Sequence, residues 1–497
     1  MFEIIILPHG KTLEAKKGEN LGQLLQARIG FELPCGGTGG CGKCKIKLVE
    51  GELEISQAEK KKLTEREISQ GYRLACKCSI ENNITIKVKQ MNSFISSQEW
   101  EIEKIDTEAK YGIAIDAGST TISGQLIDLK NKNILFTAVA SNEQRKYGAD
   151  IMSRIEYIKQ DSIKTLNQSL KKSIYKVIRT ICKQVNNIAI DKVNIVGNTF
   201  IHHCFGKFDV KELVSIPYQP ASKKEIQTKA ADLNWKIGGN PNISFLPVMD
   251  GFVGSDILAG IFSKSIPQKD SMNLFLDLGT NGEIALGNKD KIIFASTAAG
   301  PAFEAGNIQM GMRARKGAIT KVRCKNKNYK TFVYGGGNPH GICGSGLIDT
   351  ISCGLKLRDI SPKGKIQSNN NQIEIASPVK IVQQDVREVQ LAKGAVAAGI
   401  EILMDEININ KAQIRKVYLA GAFGNYINVK SANRIGLLNF DEKKVVNAGN
   451  TALHGAVKSL FSDEYKDVLK QIEYLDLSSR DDFQKIYIKN MKYPENE

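Results

Sequence analysis

At 497 residues with an apolar content of 42%, the chain is too long for one hydrophobic core, so two or more domains are expected. No run approaches the roughly 18 apolar residues that a membrane-spanning helix needs, and Met1–Gly10 lacks the basic region, apolar core and cleavage site of a leader, so a cytoplasmic protein is expected. The formal charge of +16 comes from scattered lysines without interleaved aromatics, which argues against a nucleic-acid platform or a membrane partner and for solvated basic faces.

In chain order, Phe2–Leu7 and Thr12–Ala15, joined near Gly10, read as two short strands. Leu21–Arg28 has helical spacing with Gly30 as its stop, and Lys45–Val49 and Ile84–Lys89 alternate as half-buried strands do. A small β-rich unit is therefore predicted over residues 1–90. Five of the ten cysteines fall in it, between Cys35 and Cys78, while the others are spread singly from Cys182 to Cys353. That is a metal-ligand pattern in a reducing compartment, and it excludes a secreted disulfide framework.

Cys35-Gly-Gly-Thr-Gly-Gly-Cys41-Gly-Lys-Cys44 puts three thiolates on a glycine-rich loop, and Cys76 supplies a fourth. Four thiolates suffice for a 2Fe-2S cluster, and glycines let the backbone wrap it closely with N–H groups turned to its sulfides. A zinc site from Cys41-x-x-Cys44 and Cys76-x-Cys78 is the alternative, and it leaves the loop and Cys35 without a purpose. With five residues between the first two cysteines, the loop resembles the adrenodoxin-like branch of ferredoxins. That resemblance implies a β-grasp fold and selects Cys76 over Cys78.

Residues 91–110 turn polar and acidic and read as a linker. Beyond it, strand-like runs at Tyr111–Ile115, Val193–Val196, Leu274–Leu276 and Val417–Ala420 alternate with helical stretches such as Asp150–Val185 and Val386–Met404. This predicts an α/β domain over 111–497. Ile115-Asp116-Ala-Gly118-Ser119-Thr120 is echoed by Leu276-Asp277-Leu-Gly279-Thr280-Asn281-Gly282, each a strand ending in Asp-x-Gly-Ser/Thr before another strand. The echo predicts a duplicated fold whose second half starts near residue 271, with a cleft between the halves. Backbone N–H groups and hydroxyls of these tips suit phosphates, and Asp116 and Asp277 suit the water shell of a phosphate-bound Mg2+.

These motifs resemble the actin/hexokinase/Hsp70-like (ASKHA) ATP-binding fold. The resemblance implies that Gly421 and Gly424, at the end of the strand Val417–Ala420, let adenosine lie against the backbone. It likewise implies anion contact from Gly344-Ser345-Gly346, which opens a helix. A ferredoxin loop followed by such motifs, with Gly197-Asn198-Thr199, Gly251–Asp256, Ala298–Glu304 and Gly311–Arg313, resembles the reductive activators of corrinoid proteins. That family implies ATP-dependent return of an electron to the cobalt(II) corrinoid of a methyltransferase system, regenerating cobalt(I). It also implies a ferredoxin or flavin reductase as electron donor, and a homodimer formed through the ATP domain. Fuller members carry an additional small domain where this chain has residues 91–110. The rival readings are an activator of a 2-hydroxyacyl-CoA dehydratase, for which Cys343 and Cys353 are the candidate cysteines, a small-molecule kinase with a fused redox sensor, and an actin-like scaffold. His202-His203 are read as part of a structural segment rather than as metal ligands, and Glu304 and Arg313 as packing or loop-anchoring residues as readily as functional ones.

Overall fold

The computed structural model describes residues 2–7, 11–29, 31, 42, 44–88, 110–148, 151–160, 162–185, 188–215, 218–251, 253–279, 281–326, 328–424 and 426–495. In the N-terminal unit, β1 (Phe2–Leu7) and β2 (Lys11–Ala15) pair antiparallel and lead into α1 (Leu21–Ile29). Then β3 (Lys45–Glu50), β4 (Tyr72–Leu74) and β5 (Ile84–Val88) complete a sheet of order β2-β1-β5-β3-β4, with β1 and β5 parallel. Two short helices, α2 (Gln57–Lys60) and α3 (Glu65–Ser69), each start in a capping box, Ser56 with Glu59 and Thr64 with Glu67. Alternate strand residues Ile4, Ile6, Ile84, Ile86 and Val88 meet Leu21, Leu24 and Leu25 of α1 in one core, the β-grasp arrangement. The linker residues 91–109 lie outside the described residues.

From Tyr111 onward the chain is built twice. β6 (Tyr111–Ala117), β7 (Thr121–Asp128) and β8 (Ile134–Ser141) form an antiparallel meander. After α4 (Ile151–Gln160) and α5 (Ile163–Gln184), β9 (Lys192–Val196) joins β6 in parallel. Past α6 (Thr199–Gly206), β10 (Ile226–Lys229) and β11 (Asn242–Phe245) extend the sheet to the order β10-β11-β9-β6-β7-β8. The second half follows α7 (Ser255–Ser263) and repeats the meander as β12 (Asn273–Leu278), β13 (Gly282–Gly287) and β14 (Ile292–Thr297).

Here a small sheet of β15 (Ala318–Lys325), β16 (Asn328–Val333) and β17 (Gly341–Ile342) intervenes before α8 (Gly344–Leu357). The hairpin of β18 (Gln372–Ala376) and β19 (Val379–Val382) precedes α9 (Gln383–Glu406). β20 (Lys416–Ala420) then lies parallel to β12 as β9 does to β6. After α10 (Gly421–Gly424) and α11 (Val429–Arg434) come β21 (Val445–Gly449), α12 (Thr451–Ser459) and β22 (Ile472–Tyr474), closing the order β21-β20-β12-β13-β14-β22.

Strand order and direction in β8-β7-β6-β9-β11 thus recur in β14-β13-β12-β20-β21, the topological form of the repeated Asp-x-Gly motif. Central strands β6 and β12 are covered on both faces, hence their unbroken apolar runs. Asp116 and Asp277 are the residues at which each run reaches partial exposure. One shared core joins the halves, with Ala114 and Val196 of the first and Phe275 and Ala285 of the second meeting Leu258 of α7 and Leu453 of α12. Those two helices touch backbone to backbone: a Cβ on Gly455 would lie 2.0 Å from the carbonyl oxygen of Ala259.

One helix expectation is corrected. The stretch 150–185 is two helices, because the Ser162 hydroxyl accepts from the Lys164 N–H and starts α5 afresh. Asp150 itself lies outside the described residues. Val386–Met404 falls inside the single helix α9.

Candidate functional site

In the N-terminal unit, Cys44 immediately precedes β3, and Cys76 sits in a short 3-10 turn after β4. The Ala75 N–H donates to the Cys44 carbonyl at 2.9 Å, so the two segments are tied. Their thiols meet at 3.2 Å inside the core, as two ligands of one metal centre would. Cys78 turns away: its thiol contacts the Leu74 carbonyl at 3.4 Å and Glu59 at 3.9 Å. Burial, then the neighbouring charges of Glu59 and Cys44, push that thiol well above its ordinary value. The residue pair present therefore fits the cluster better than it fits zinc shared with Cys78. Cys35 and Cys41 lie outside the described residues.

At the junction of the two halves, Asp116 at the end of β6 and Asp277 at the end of β12 come into each other's electrostatic field. Two carboxylates that sequence reasoning passed over as site residues join them. Asp256 lies in the first turn of α7, which reaches the site because Gly254 packs against Asn198, where a Cβ would be 2.3 Å from its Cα. Glu283 sits directly opposite Asp277 in the β12–β13 ladder, a like-charge pair that costs stability. The Asp-x-Gly spacing carries no signal for Asp256, whose arrival depends on a contact between distant segments. Glu283, by contrast, was legible as the polar residue opposite Asp277 in a predicted hairpin.

Burial raises all four carboxyls, Asp116 to about 6 with a hydrogen bond from Asn450 opposing the rise. Asp256 goes to about 7 under burial and then the charges of Asp116 and Asp277. Asp277 goes to about 7 under burial, Asp116 and Glu304, and Glu283 rises well above its usual value. These four titrate as a set. Among the described residues no three His, Cys, Asp or Glu side chains close around one metal position.

The first hairpin tip, Gly118-Ser119, is held from behind. Asn198 caps α6 and donates to the Ser119 hydroxyl at 2.8 Å, Asn142 donates to the Gly118 carbonyl at 3.0 Å, and buried Arg154 donates to the Ser119 carbonyl at 2.8 Å. Asn450, the N-cap of α12, donates to Asp116 at 2.9 Å and so links the second half to the first. Thr120 is half-buried beside Ser119, as is Asn281 beside buried Gly282, and the Gly279 N–H donates to the Asn281 carbonyl. Thr280 lies outside the described residues. Gly421 has φ +77°, and a Cβ there would lie 2.4 Å from Asp277 Oδ1, so only glycine lets β20 end against that carboxylate.

Gly344, Ser345 and Gly346 are buried where α8 packs on β15, with the Ser345 hydroxyl donating to the Thr320 carbonyl. They and buried Gly424 shape the wall beside the stacked rings of Phe303 and Phe423, 4.8 Å apart, rather than the open surface of the junction. Exposed Glu304 adds its charge at Asp277. His202 and His203 are core residues: their rings pack with Phe208, and His202 Nε2 and His203 Nδ1 meet the Lys224 and Thr199 carbonyls.

A stability test follows from the crowded carboxyls. Their raised pKa values mean that protonation favours the folded state, so the stability they contribute is present at low pH and lost as pH rises through about 7. With nucleotide absent, Asp256→Asn should raise the melting temperature by about 2–4 °C at pH 8, which is about 1–2 kcal/mol after allowance for solvent screening. The gain should vanish only below about pH 4, under the carboxyl's unfolded-state value. A thermal melt in which Asp256→Asn destabilises at pH 8 would show that the carboxylates are not in mutual repulsion.

A ferredoxin-type unit with two meeting core thiols, joined to a duplicated sheet with facing acidic hairpins, defines an iron-sulfur protein with an ASKHA-type ATP-binding domain. Family profiles agree: a 2Fe-2S iron-sulfur cluster binding domain matches residues 4–81, the RACo middle region residues 111–269, and the C-terminal ASKHA domain of RACo residues 271–497. The chain is 32% identical over 421 residues to the corrinoid activation enzyme RamQ of Eubacterium limosum, covering 78% of this chain and 71% of that one. It is 26% identical to the Co(II) methylated amine-specific corrinoid protein reductase of Methanosarcina barkeri, over 77% of each. The solved reductive activator for a corrinoid, iron-sulfur protein superposes with a TM-score of 0.68 at 26% identity, covering 99% of this chain and 98% of that one. The chain belongs to the family of ATP-dependent reductive activators of corrinoid proteins, and it is an enzyme of that class. Among the described residues no helix is long and apolar enough to cross a membrane.

Proposed function

We propose that the chain returns one electron to the cobalt(II) of a corrinoid protein in a methyltransferase system, restoring cobalt(I), under the control of Mg2+-ATP bound at the junction of its halves. The observation that carries this reading is the union in one chain of the Cys44–Cys76 thiol pair and the Asp116, Asp256, Asp277 and Glu283 cluster. A 2Fe-2S cluster held by Cys35, Cys41, Cys44 and Cys76 supplies the one-electron chemistry. Couples of this kind lie near about −400 mV, and each further 59 mV uphill lowers the equilibrium constant about tenfold. Nucleotide binding overcomes that barrier by favouring a complex in which the cobalt ligation differs, a population shift that requires differential contacts in two states.

Each part of the junction then has a task. Ser119, Thr120, Thr280 and Asn281 with the loop glycines receive the phosphates, Asp116 and Asp277 orient the water shell of Mg2+, and Gly421 with the Phe303–Phe423 wall receives adenosine. The chain works as a homodimer and takes its electrons from a ferredoxin or flavin reductase. The dehydratase-activator reading loses support, because Cys343 faces the Ser345 hydroxyl at 3.3 Å and Cys353 is packed in the core, away from any surface where a shared cluster could form. With a low-potential reductant and Mg2+-ATP, the protein should convert a corrinoid protein of the same organism to cobalt(I), read from its visible spectrum. Equal reduction without ATP, or none with it across every such partner, would sink the reading.

A further inference from the structure

Between Glu304 and Asp349 the chain carries eight Lys and Arg residues and not one Asp or Glu over residues 305–348. The overall content of 53 acidic residues in 497 would place about five in a stretch of that length. The lysines of the chain are scattered elsewhere, but here charge is segregated, and the segregated stretch builds the small sheet of β15, β16 and β17.

Strand alternation sorts its two faces. Val322 of β15 is buried in the core of the second half, while Arg323, Lys325 and Lys330 are exposed. Arg323 stands directly opposite Lys330 in the β15–β16 ladder. A like-charge cross-strand pair is destabilising, where any acidic partner would have relieved it. Exposed Arg313, Arg315 and Lys316, just before β15, continue the basic surface. Among the described residues no ion pair engages any of these six side chains. Asp349, whose carboxyl burial holds above its usual range against the opposing hydrogen bonds and the charges of Lys321 and Arg323, lies beneath the sheet, where it accepts from the Val322 N–H and the Ser431 hydroxyl. It does not neutralise the outer face.

We propose that this outer face, carried by Arg323, Lys325 and Lys330 with Arg313, Arg315 and Lys316, is the docking surface for an acidic face of the corrinoid protein. The inference rests on the function proposed above. A protein partner fits better than a nucleic acid because the face offers no exposed aromatic for base stacking: Tyr329, Phe332 and Tyr334 are half-buried, and the Phe332 ring already carries the Arg323 guanidinium at 5.4 Å. Its position also matters. β15 contacts the start of α8 through Thr320 and Ser345, in the wall of the nucleotide site, so occupancy of the face and of that site are physically adjacent. Opposed charges on two docking faces raise the association rate most at low salt, and the gain fades as the screening length shortens to about 8 Å.

The test is the variant R323E/K325E/K330E, compared with the unaltered protein by equilibrium binding to the same-organism corrinoid protein and, separately, by cobalt reduction. Expected are an unchanged iron-sulfur spectrum and basal ATP turnover, affinity at low salt reduced at least about tenfold, and loss of the salt dependence seen in the unaltered protein. In reduction assays the defect should appear at limiting partner and disappear at saturation. Unaltered affinity in the variant would overturn the docking surface while leaving the activator function standing. A variant with lost basal turnover or a lowered melting temperature would overturn it too, in favour of a structural role. Binding of a 20-residue single-stranded DNA at physiological salt by the unaltered protein but not by the variant would also overturn it, assigning the face to nucleic acid. If the unaltered protein binds the partner but never reduces it, the functional reading fails and the surface is judged on the binding arm alone.

Discussion

Asp277→Ala should lower ATP turnover by about 10²–10³-fold, the range lost when one preorganised electrostatic group is removed from a phosphate or oxyanion site. Asp277 stands near the end of the central strand of the second half, faces Glu283 across the hairpin, and lies against Gly421. Removing it takes away the carboxylate of the second hairpin that shares an electrostatic field with Asp116, and leaves Glu283 as the acidic group there. The iron-sulfur spectrum should be untouched, because Cys44 and Cys76 belong to a separate hydrophobic core that shares no residue with the junction. Asp277→Asn, which keeps the shape and removes the charge, should lose nearly as much. Turnover unchanged in both variants would mean that the junction is not the nucleotide site, and loss of the visible spectrum would mean that the two units are not independent.

The second large effect is at the thiols. Purified anaerobically, the protein should hold about two irons and two sulfides per chain. Cys44→Ser should abolish or severely perturb the centre, since its sulfur sits 3.2 Å from that of Cys76 and both are buried together. Cys78→Ser, four residues past the end of β4, should retain iron and sulfide in full, because its side chain points at Glu59 and the Leu74 carbonyl instead. Iron and acid-labile sulfide analysis decides it. Stoichiometric zinc without sulfide, or iron lost equally from both variants, would remove the cluster assignment.

The strands that carry Asp116 and Asp277 were readable from the amino-acid sequence because a buried central strand must be apolar throughout, and an Asp-x-Gly at its end breaks that pattern twice in the same way. Cys44 and Cys76 were readable because ligand chemistry restricts residue type. What escaped is what depends on long-range placement. Asp256 stands in an ordinary helical turn and becomes part of the site when α7 crosses the end of β9, a contact between segments some sixty residues apart. Gly344-Ser345-Gly346 shows how far composition reaches: its glycines are needed for close packing against β15 and Phe303, and small residues alone do not distinguish a backbone approached by ligand from one approached by protein. The division of 150–185 into α4 and α5 turned on one hydroxyl, Ser162, inside an otherwise continuous apolar periodicity.

The crossing of α7 and α12 at Gly455 has a mechanical consequence. At Gly455 the two backbones touch directly, and each helix carries a member of the junction near its start: Asp256 in the first turn of α7, and Asn450, bonded to Asp116, at the cap of α12. Any residue larger than glycine at 455 would have to force the helices apart at Ala259, and with them the two segments that bring Asp256 and Asn450 to the junction.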